Sequence, residues 1–323
     1  MDTNLVKNKL KGCYVTIPTP FEDKDSFPVN NSALREYTRF LLDNGLDKNY
    51  ATYLAGGAAG DFSTMTLNER LSVGEIVADE VNGMVPIALG GQTTSTNELV
   101  QLAKAAQSMN FDFLQISCPF YFTHTEDDFL EFVKEGAKAA PNVGIIVYNT
   151  FWTSTNVSDQ LVEKFSDISN IVGLKWATPR TDAMEFEDIT SAYSKRFTII
   201  DNNLFFPYSS MPSLNAQAFE VHLCNYWPEW GIKLINEIQN KNYEEVARMM
   251  IKEAMPFYKL WVEIEQDYTS GDGYLDKLCM ELIGLPSSRC RPPTRDIREI
   301  YKEKTYQMMK KSGVPKLLKL KEN

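Results

Sequence analysis

The chain has 323 residues, enough for two average domains or one large α/β barrel, and its 43% hydrophobic and 24% charged content is that of a core-forming globular protein. A formal net charge of -10 argues against a nucleic-acid partner, because phosphate binding needs clustered cations, and no apolar run approaches the length of a membrane span. The basic stretch from Lys310 to Lys321 reads as a solvated helix end, and residues 1–11 lack the apolar segment of a secretory signal, so the expected compartment is the cytoplasm.

The first strand-like run, Gly12 to Ile17, leads into Pro18-Thr19-Pro20-Phe21, and a helix is predicted from Ser32 to Asn44 with Leu34, Tyr37 and Leu41 on one face. Tyr50 to Ala55 reads as a strand, followed by the loop Gly56-Gly57-Ala58-Ala59-Gly60-Asp61 and a helix opening on a Thr66/Glu69 capping box. Strand-like Val85 to Leu89 precedes a second box at Ser95/Glu98, and Phe113 to Ile116 precedes a third at Thr125/Asp128. The intervals, 95 - 66 = 29 and 125 - 95 = 30 residues, describe repeating β/α units. Gly144 to Val147 ends in Tyr148, a helix starts near Ser158, Ile171 to Leu174 ends in Lys175, and another helix starts near Asp182. Phe197 to Ile200 and Ala218 to Leu223 bring the strands to eight.

Eight β/α units favour an α/β fold closed as a (β/α)8 TIM barrel over residues 1–226, and no G-x-G-x-x-G follows the first strand to suggest a dinucleotide fold. Residues 227–323 read as helices only: Val246, Met250, Ala254, Phe257 and Trp261 mark one face of a long helix, with others over Tyr274 to Ile283 and Thr294 to Met309. No flexible linker intervenes, so a C-terminal helical extension packed on the barrel is expected.

In such barrels chemistry sits at the carboxyl ends of the strands, which singles out Thr19, the Gly56 to Asp61 loop, Tyr121, Tyr148, Lys175, Asp201 to Asn203 and His222 to Asn225. Lys175 either snorkels to solvent from its strand or is a buried amine, whose desolvation lowers its pKa and makes it a nucleophile toward carbonyl carbons. Neighbouring strands lie about 4.8 Å apart, so Tyr148 would present a phenol to that amine. The two histidines, His124 and His222, have no metal-ligand spacing, and the loops after strands seven and eight lack the glycines of a phosphate grip; no metal or cofactor is expected. The five cysteines (Cys13, Cys118, Cys224, Cys279, Cys290) contain no C-x-x-C and read as free thiols, with Cys118 and Cys224 as small core residues.

Thr19-Pro20-Phe21, the glycine loop, Pro119-Phe120-Tyr121, Tyr148-Asn149, Gly173-Leu174-Lys175, Asn225 to Pro228, Gly284-Leu285-Pro286 and Arg291-Pro292-Pro293 together resemble the dihydrodipicolinate synthase / N-acetylneuraminate lyase family, nearly end to end. The resemblance implies a Schiff-base-forming class I pyruvate aldolase: Lys175 makes the imine with a 2-oxo acid, Tyr148 moves a proton, and Tyr121 reaches into a neighbouring subunit of a dimer or tetramer. Gly57, Ala58, Ala59 and Gly60 would hold the substrate carboxylate through backbone N–H groups, with Asp61, Thr19 and Asn225 as further binding residues. Where the family loop usually reads G-T-T-G-E, Ala58 and Ala59 remove two hydroxyls, so the hydroxyl relay between Tyr148 and Tyr121 cannot form as it does in the synthases. The arginine that the synthases carry shortly after the tyrosine is also missing; Phe151-Trp152-Thr153 stands there, and Arg180 is either a replacement or a solvated loop residue.

Trp152 and Trp176 either pack on barrel helices or line a pocket for an aryl or apolar portion of substrate. The leading expectation is a lyase or synthase joining or cleaving pyruvate, or a related 2-oxo acid, and an aldehyde. The alternatives are a dehydratase of a deoxy-oxo-sugar acid, which shares the imine, and a catalytically silent relative kept as ligand sensor or structural partner.

Overall fold

The computed structural model describes residues 2–152, 156–178 and 183–319. Eight parallel strands in chain order close into a barrel: β1 (Gly12–Thr16), β2 (Ala51–Ala55), β3 (Ile87–Gly90), β4 (Phe113–Ser117), β5 (Gly144–Thr150), β6 (Ile171–Ala177), β7 (Thr198–Asp201) and β8 (Ala218–Glu220). All of their residues are buried, which is why they read as apolar runs rather than alternating patterns. The helices are α1 (Thr3–Lys9), α2 (Asn31–Asp43), α3 (Leu67–Val81), α4 (Thr96–Ser108), α5 (Glu126–Ala139), α6 (Asp159–Ser166), α7 (Ala183–Tyr193), α8 (Phe206–Ser209), α9 (Pro228–Gln239), α10 (Tyr243–Met249), α11 (Met255–Asp267), α12 (Tyr274–Leu282) and α13 (Arg298–Ser312). Because α2 to α8 each fall between successive strands and α9 to α13 follow the last, this is a TIM barrel with a C-terminal helical region, as the repeats indicated.

The capping boxes explain where the helices start. Thr66 and Glu69 exchange both backbone-to-side-chain bonds, as do Thr125 and Asp128. Ser95 accepts from the Glu98 N–H, while its own N–H donates to Thr93. The long helix expected in the C-terminal region differs. The stripe from Val246 to Trp261 does not lie on one continuous helix: Met250–Ala254 forms a π turn between α10 and α11. Pro256, at the start of α11, cannot donate to the preceding turn and crowds its carbonyl, so the turn widens.

The chain forms two compact units that interleave in sequence: residues 1–15, 47–55 and 82–221, which carry the barrel strands, and residues 16–46, 56–81 and 222–323. In the first unit, Tyr14, Leu54, Ala88, Phe113, Ile146, Val172, Ile200 and Ala218, one from each strand, fill the lumen together with Leu10 from the end of α1. Gly173 makes room for this plug, since a Cβ there would lie 2.6 Å from Leu10. The β5–β6 ladder has one irregularity: Ile145 pairs with Ile171 but Ile146 pairs with Gly173, so Val172 is an extra residue. Above this bulge the register is regular, and Tyr148 lies directly beside Lys175.

In the second unit, Arg291 ties three segments together, donating to the carbonyls of Phe27 and Thr64 and pairing with Glu69 at 2.5 Å. Among the described residues, no helix is long and apolar enough to cross a membrane.

Candidate active site

Strand register aims the reactive side chains. Tyr148, Lys175 and Ile200 are successive partners across β5, β6 and β7, and Ile200 belongs to the lumen cluster, so all three point into the barrel. Lys175 is 3% exposed; its Nζ lies 4.4 Å from the centre of the Tyr148 ring and 5.4 Å from that of Tyr14. The snorkelling alternative is thereby closed, because the amine stays in the lumen. Its charge is met by Glu220 at the end of β8, whose carboxylate is in direct ion-pair contact with Nζ. Tyr14 pairs in register with Glu220. Burial, followed by the fields of Glu220 and Tyr148, pushes the Tyr14 phenol well above its ordinary range, so it stays neutral.

The phenol of Tyr148 is held from the end of β7. Asn202 Nδ2–H donates to Tyr148 Oη at 3.1 Å, and the Asn202 backbone N–H donates to the Trp176 carbonyl. Asp201, one residue earlier, points the other way and accepts from Ser209 Oγ and from the N–H groups of Asn203 and Phe205. Burial pushes its carboxyl up to about 6 despite these bonds. Trp176 likewise alternates away from Lys175. Its ring is fully buried and its Nε1–H donates to Glu185 of α7 at 2.9 Å, so the expectation that Trp176 lines the substrate pocket is corrected to a packing role under the helix.

In the second unit the glycine loop folds as a turn. The Gly60 N–H donates to the Gly57 carbonyl, which spends one of the amides expected to meet a carboxylate, and the Asp61 N–H donates to that of Ala58. The Ala58 and Ala59 N–H groups have no backbone acceptor among the described residues. Thr19 is fully buried and gives its hydroxyl to the Gly60 carbonyl at 2.7 Å, so it holds the loop. Asp61, left-handed at φ 56, is equally structural: its carboxylate pairs with buried Lys277 at 2.6 Å. Asn225 is also committed to the scaffold, donating to the Thr16 carbonyl and to Asp276, which also meets His222.

The model of the Dihydrodipicolinate synthetase family matches residues 9–312. The chain belongs to that family. A 4-hydroxy-tetrahydrodipicolinate synthase of Syntrophus aciditrophicus is 26% identical over 306 residues, covering 94% of this chain and 99% of that protein. Among solved structures, the N-acetylneuraminate lyase of Proteus mirabilis superimposes with a TM-score of 0.81 at 19% identity, covering 94% of this chain and 99% of its own. The dihydrodipicolinate synthase of Acinetobacter baumannii, solved with pyruvate, does so at 0.79 and 21%, with 94% and 99% covered. Family membership makes this chain an enzyme of the lyase or aldolase type.

In this member of the dihydrodipicolinate synthetase family, Tyr121 is 86% exposed at φ 101, a conformation unfavourable for a bulky side chain, with its ring edge-on to Phe122. Trp152 is 63% exposed and tilts against Phe151, their ring centres 4.3 Å apart. Thr153 and Arg180 lie outside the described residues. The five cysteines are buried thiols, with no disulfide among the described residues. Sequence reasoning missed Glu220, Tyr14 and the pairing of Asn202 with Tyr148. The signal for Glu220 was available: a carboxylate inside the apolar run AFEV is as costly as Lys175 in its own strand, and two such costs of opposite sign point to each other.

Proposed function

We propose that this enzyme is a class I lyase or synthase in which Lys175 forms a Schiff base with pyruvate or a related 2-oxo acid, and a carbon–carbon bond to an aldehyde is made or broken. The observation that carries the reading is the Lys175 amine in the lumen, with the Tyr148 ring 4.4 Å away on the neighbouring strand. Once the nitrogen is joined to the oxo carbon, the iminium withdraws electrons. The bond one carbon further out can then break heterolytically to an enamine, or form from one. The reaction also needs an acid and base for the aldehyde oxygen, which becomes a hydroxyl on bond formation and loses its proton on cleavage. Tyr148 suits that role, since the Asn202 amide fixes its oxygen. Ala58 and Ala59 carry no hydroxyl to offer, and the phenol takes its hydrogen bond from Asn202 at the end of β7.

The exposed Phe151–Trp152 pair after β5 supports an aldehyde with an aryl or apolar portion. The exposed, strained Tyr121 supports a homo-oligomer, dimer or tetramer, because a solvated monomer gives that aromatic nothing in return for its backbone cost. Five buried thiols suit the cytoplasm. The test is incubation with pyruvate and borohydride, then intact mass and peptide mapping. A stable adduct on Lys175, absent in Lys175→Ala, is expected; no adduct with pyruvate or with larger 2-oxo acids would overturn the reading.

A further inference from the structure

We infer that Glu220 is the proton carrier for Lys175, taking protons from Nζ and delivering them to the carbonyl oxygen of the 2-oxo acid while the imine forms. This deepens the Schiff-base reading and rests on it. An ammonium has no lone pair to attack with, so a lysine that forms an imine must shed a proton, and the Glu220 carboxylate is the group in contact with its Nζ. The Lys175 side chain is only 4% exposed, so bulk water has little access to the proton that must leave.

Tyr148, Tyr14 and Asp201 stand on strands that flank this pair. Tyr148 from β5 turns its ring face toward Nζ, and its oxygen accepts from Asn202 Nδ2–H. Tyr14 from β1 is a neutral phenol whose hydroxyl has no hydrogen-bond partner among the described residues. On β7, Asp201 is turned outward to Ser209. Glu220 is thus the carboxylate in contact with the reacting atom. The pair is weak evidence of a stabilising role, because apolar residues of similar volume often hold a core as well as a buried ion pair does.

The protons balance without any outside donor. Nζ–H3+ gives one proton to the Glu220 carboxylate, and the freed lone pair forms the C–N bond as the carbonyl π pair moves to oxygen. The resulting alkoxide takes the proton back from Glu220, giving a carbinolamine with a cationic nitrogen. Glu220 removes a second proton from that nitrogen and returns it to the hydroxyl as the C–O bond breaks and water leaves. The nitrogen lone pair closes the C=N bond, and the iminium keeps the third proton, paired with the restored carboxylate. Two protons have travelled from nitrogen to oxygen through one side chain, leaving Tyr148 for the bond-making step.

The test compares wild type, Glu220→Gln and Glu220→Asp by quench-flow, reading the rate of borohydride-trapped pyruvate adduct between about pH 5 and 9. Loss of a positioned base predicts a Glu220→Gln rate lower by roughly 100-fold near neutrality, recovering as pH rises and hydroxide deprotonates the amine. A merely structural glutamate would depress the rate equally at every pH. Glu220→Asp, with the carboxylate drawn back, keeps the wild-type pH profile at a rate roughly 10- to 100-fold lower, and it carries the test should Glu220→Gln not fold. A Glu220→Gln or Glu220→Asp enzyme indistinguishable from wild type would overturn the inference alone. No adduct in wild type would overturn the Schiff-base reading and this inference with it.

Discussion

Replacing Lys277 by methionine tests how the glycine loop is held. Lys277 is fully buried, its Nζ lies 2.6 Å from Asp61 Oδ2, and it also reaches the Arg289 carbonyl at 3.3 Å and Cys290 Sγ at 3.6 Å. Asp61 is itself 6% exposed, and burial already pushes its carboxyl up, with Lys277 the main influence holding it down. Lys277→Met leaves that carboxylate alone in the interior, which costs about 3–5 kcal/mol. At about 2 °C per kcal/mol for a chain of this size, the melting temperature falls by roughly 6–10 °C. The sign with pH follows from the raised carboxyl: without its partner Asp61 binds a proton more readily folded than unfolded, so the penalty is full at about pH 8 and shrinks as the pH falls toward about 5. Asp61→Asn with Lys277→Met removes both charges and should recover most of the loss. Differential scanning calorimetry of wild type, the two single variants and the double variant decides it. A Lys277→Met melt within about 2 °C of wild type at about pH 8, or a double variant no better than Lys277→Met, would refute the reasoning.

Two further outcomes are expected. Asn202→Ala removes the donor 3.1 Å from the Tyr148 oxygen, worth about 1–1.5 kcal/mol, so turnover should fall by roughly tenfold while the borohydride adduct on Lys175 still forms; unchanged turnover would count against Asn202 as the residue that positions the phenol. Glu69 is held down to about 2, first by Arg291 and then by Thr66, against an ordinary carboxyl near 4.5. Its contribution is therefore complete above about pH 4.5 and is lost as the pH falls toward 2; with the side chain 30% exposed and partly screened, Glu69→Gln should cost about 1 kcal/mol at neutral pH and flatten the acid limb of a stability-against-pH curve.

The fold was legible because its signals are local. Capping boxes and buried strands recur at about 30 residues, and each is written in a handful of adjacent letters. The π turn before Pro256 was not, because the stripe from Val246 to Trp261 satisfies a helical period whether or not one turn widens. For the site, Lys175 and Tyr148 could be found from the ends of two consecutive strands. The partners of Glu220 and Asn202 could not be read by the same rule, since they lie 45 and 54 residues away and two strands over, across the strand between them. Trp176 stayed open between packing and pocket because only the strand's continuation past Lys175 to Ala177 lets alternation carry the indole to the opposite face.

The bulge at Val172 divides β6 into two halves that count residues independently. If Val172 were deleted, the Ile145–Ile171 and Ile146–Gly173 pairs would become neighbours in an unbroken ladder, and every pair above them, Tyr148 with Lys175 included, would stay as it is. The lumen would lose one side chain and the amine would keep its place. The half of the strand that packs against the plug from α1 can therefore be refitted, in sequence and even in length, without turning the half that carries the chemistry.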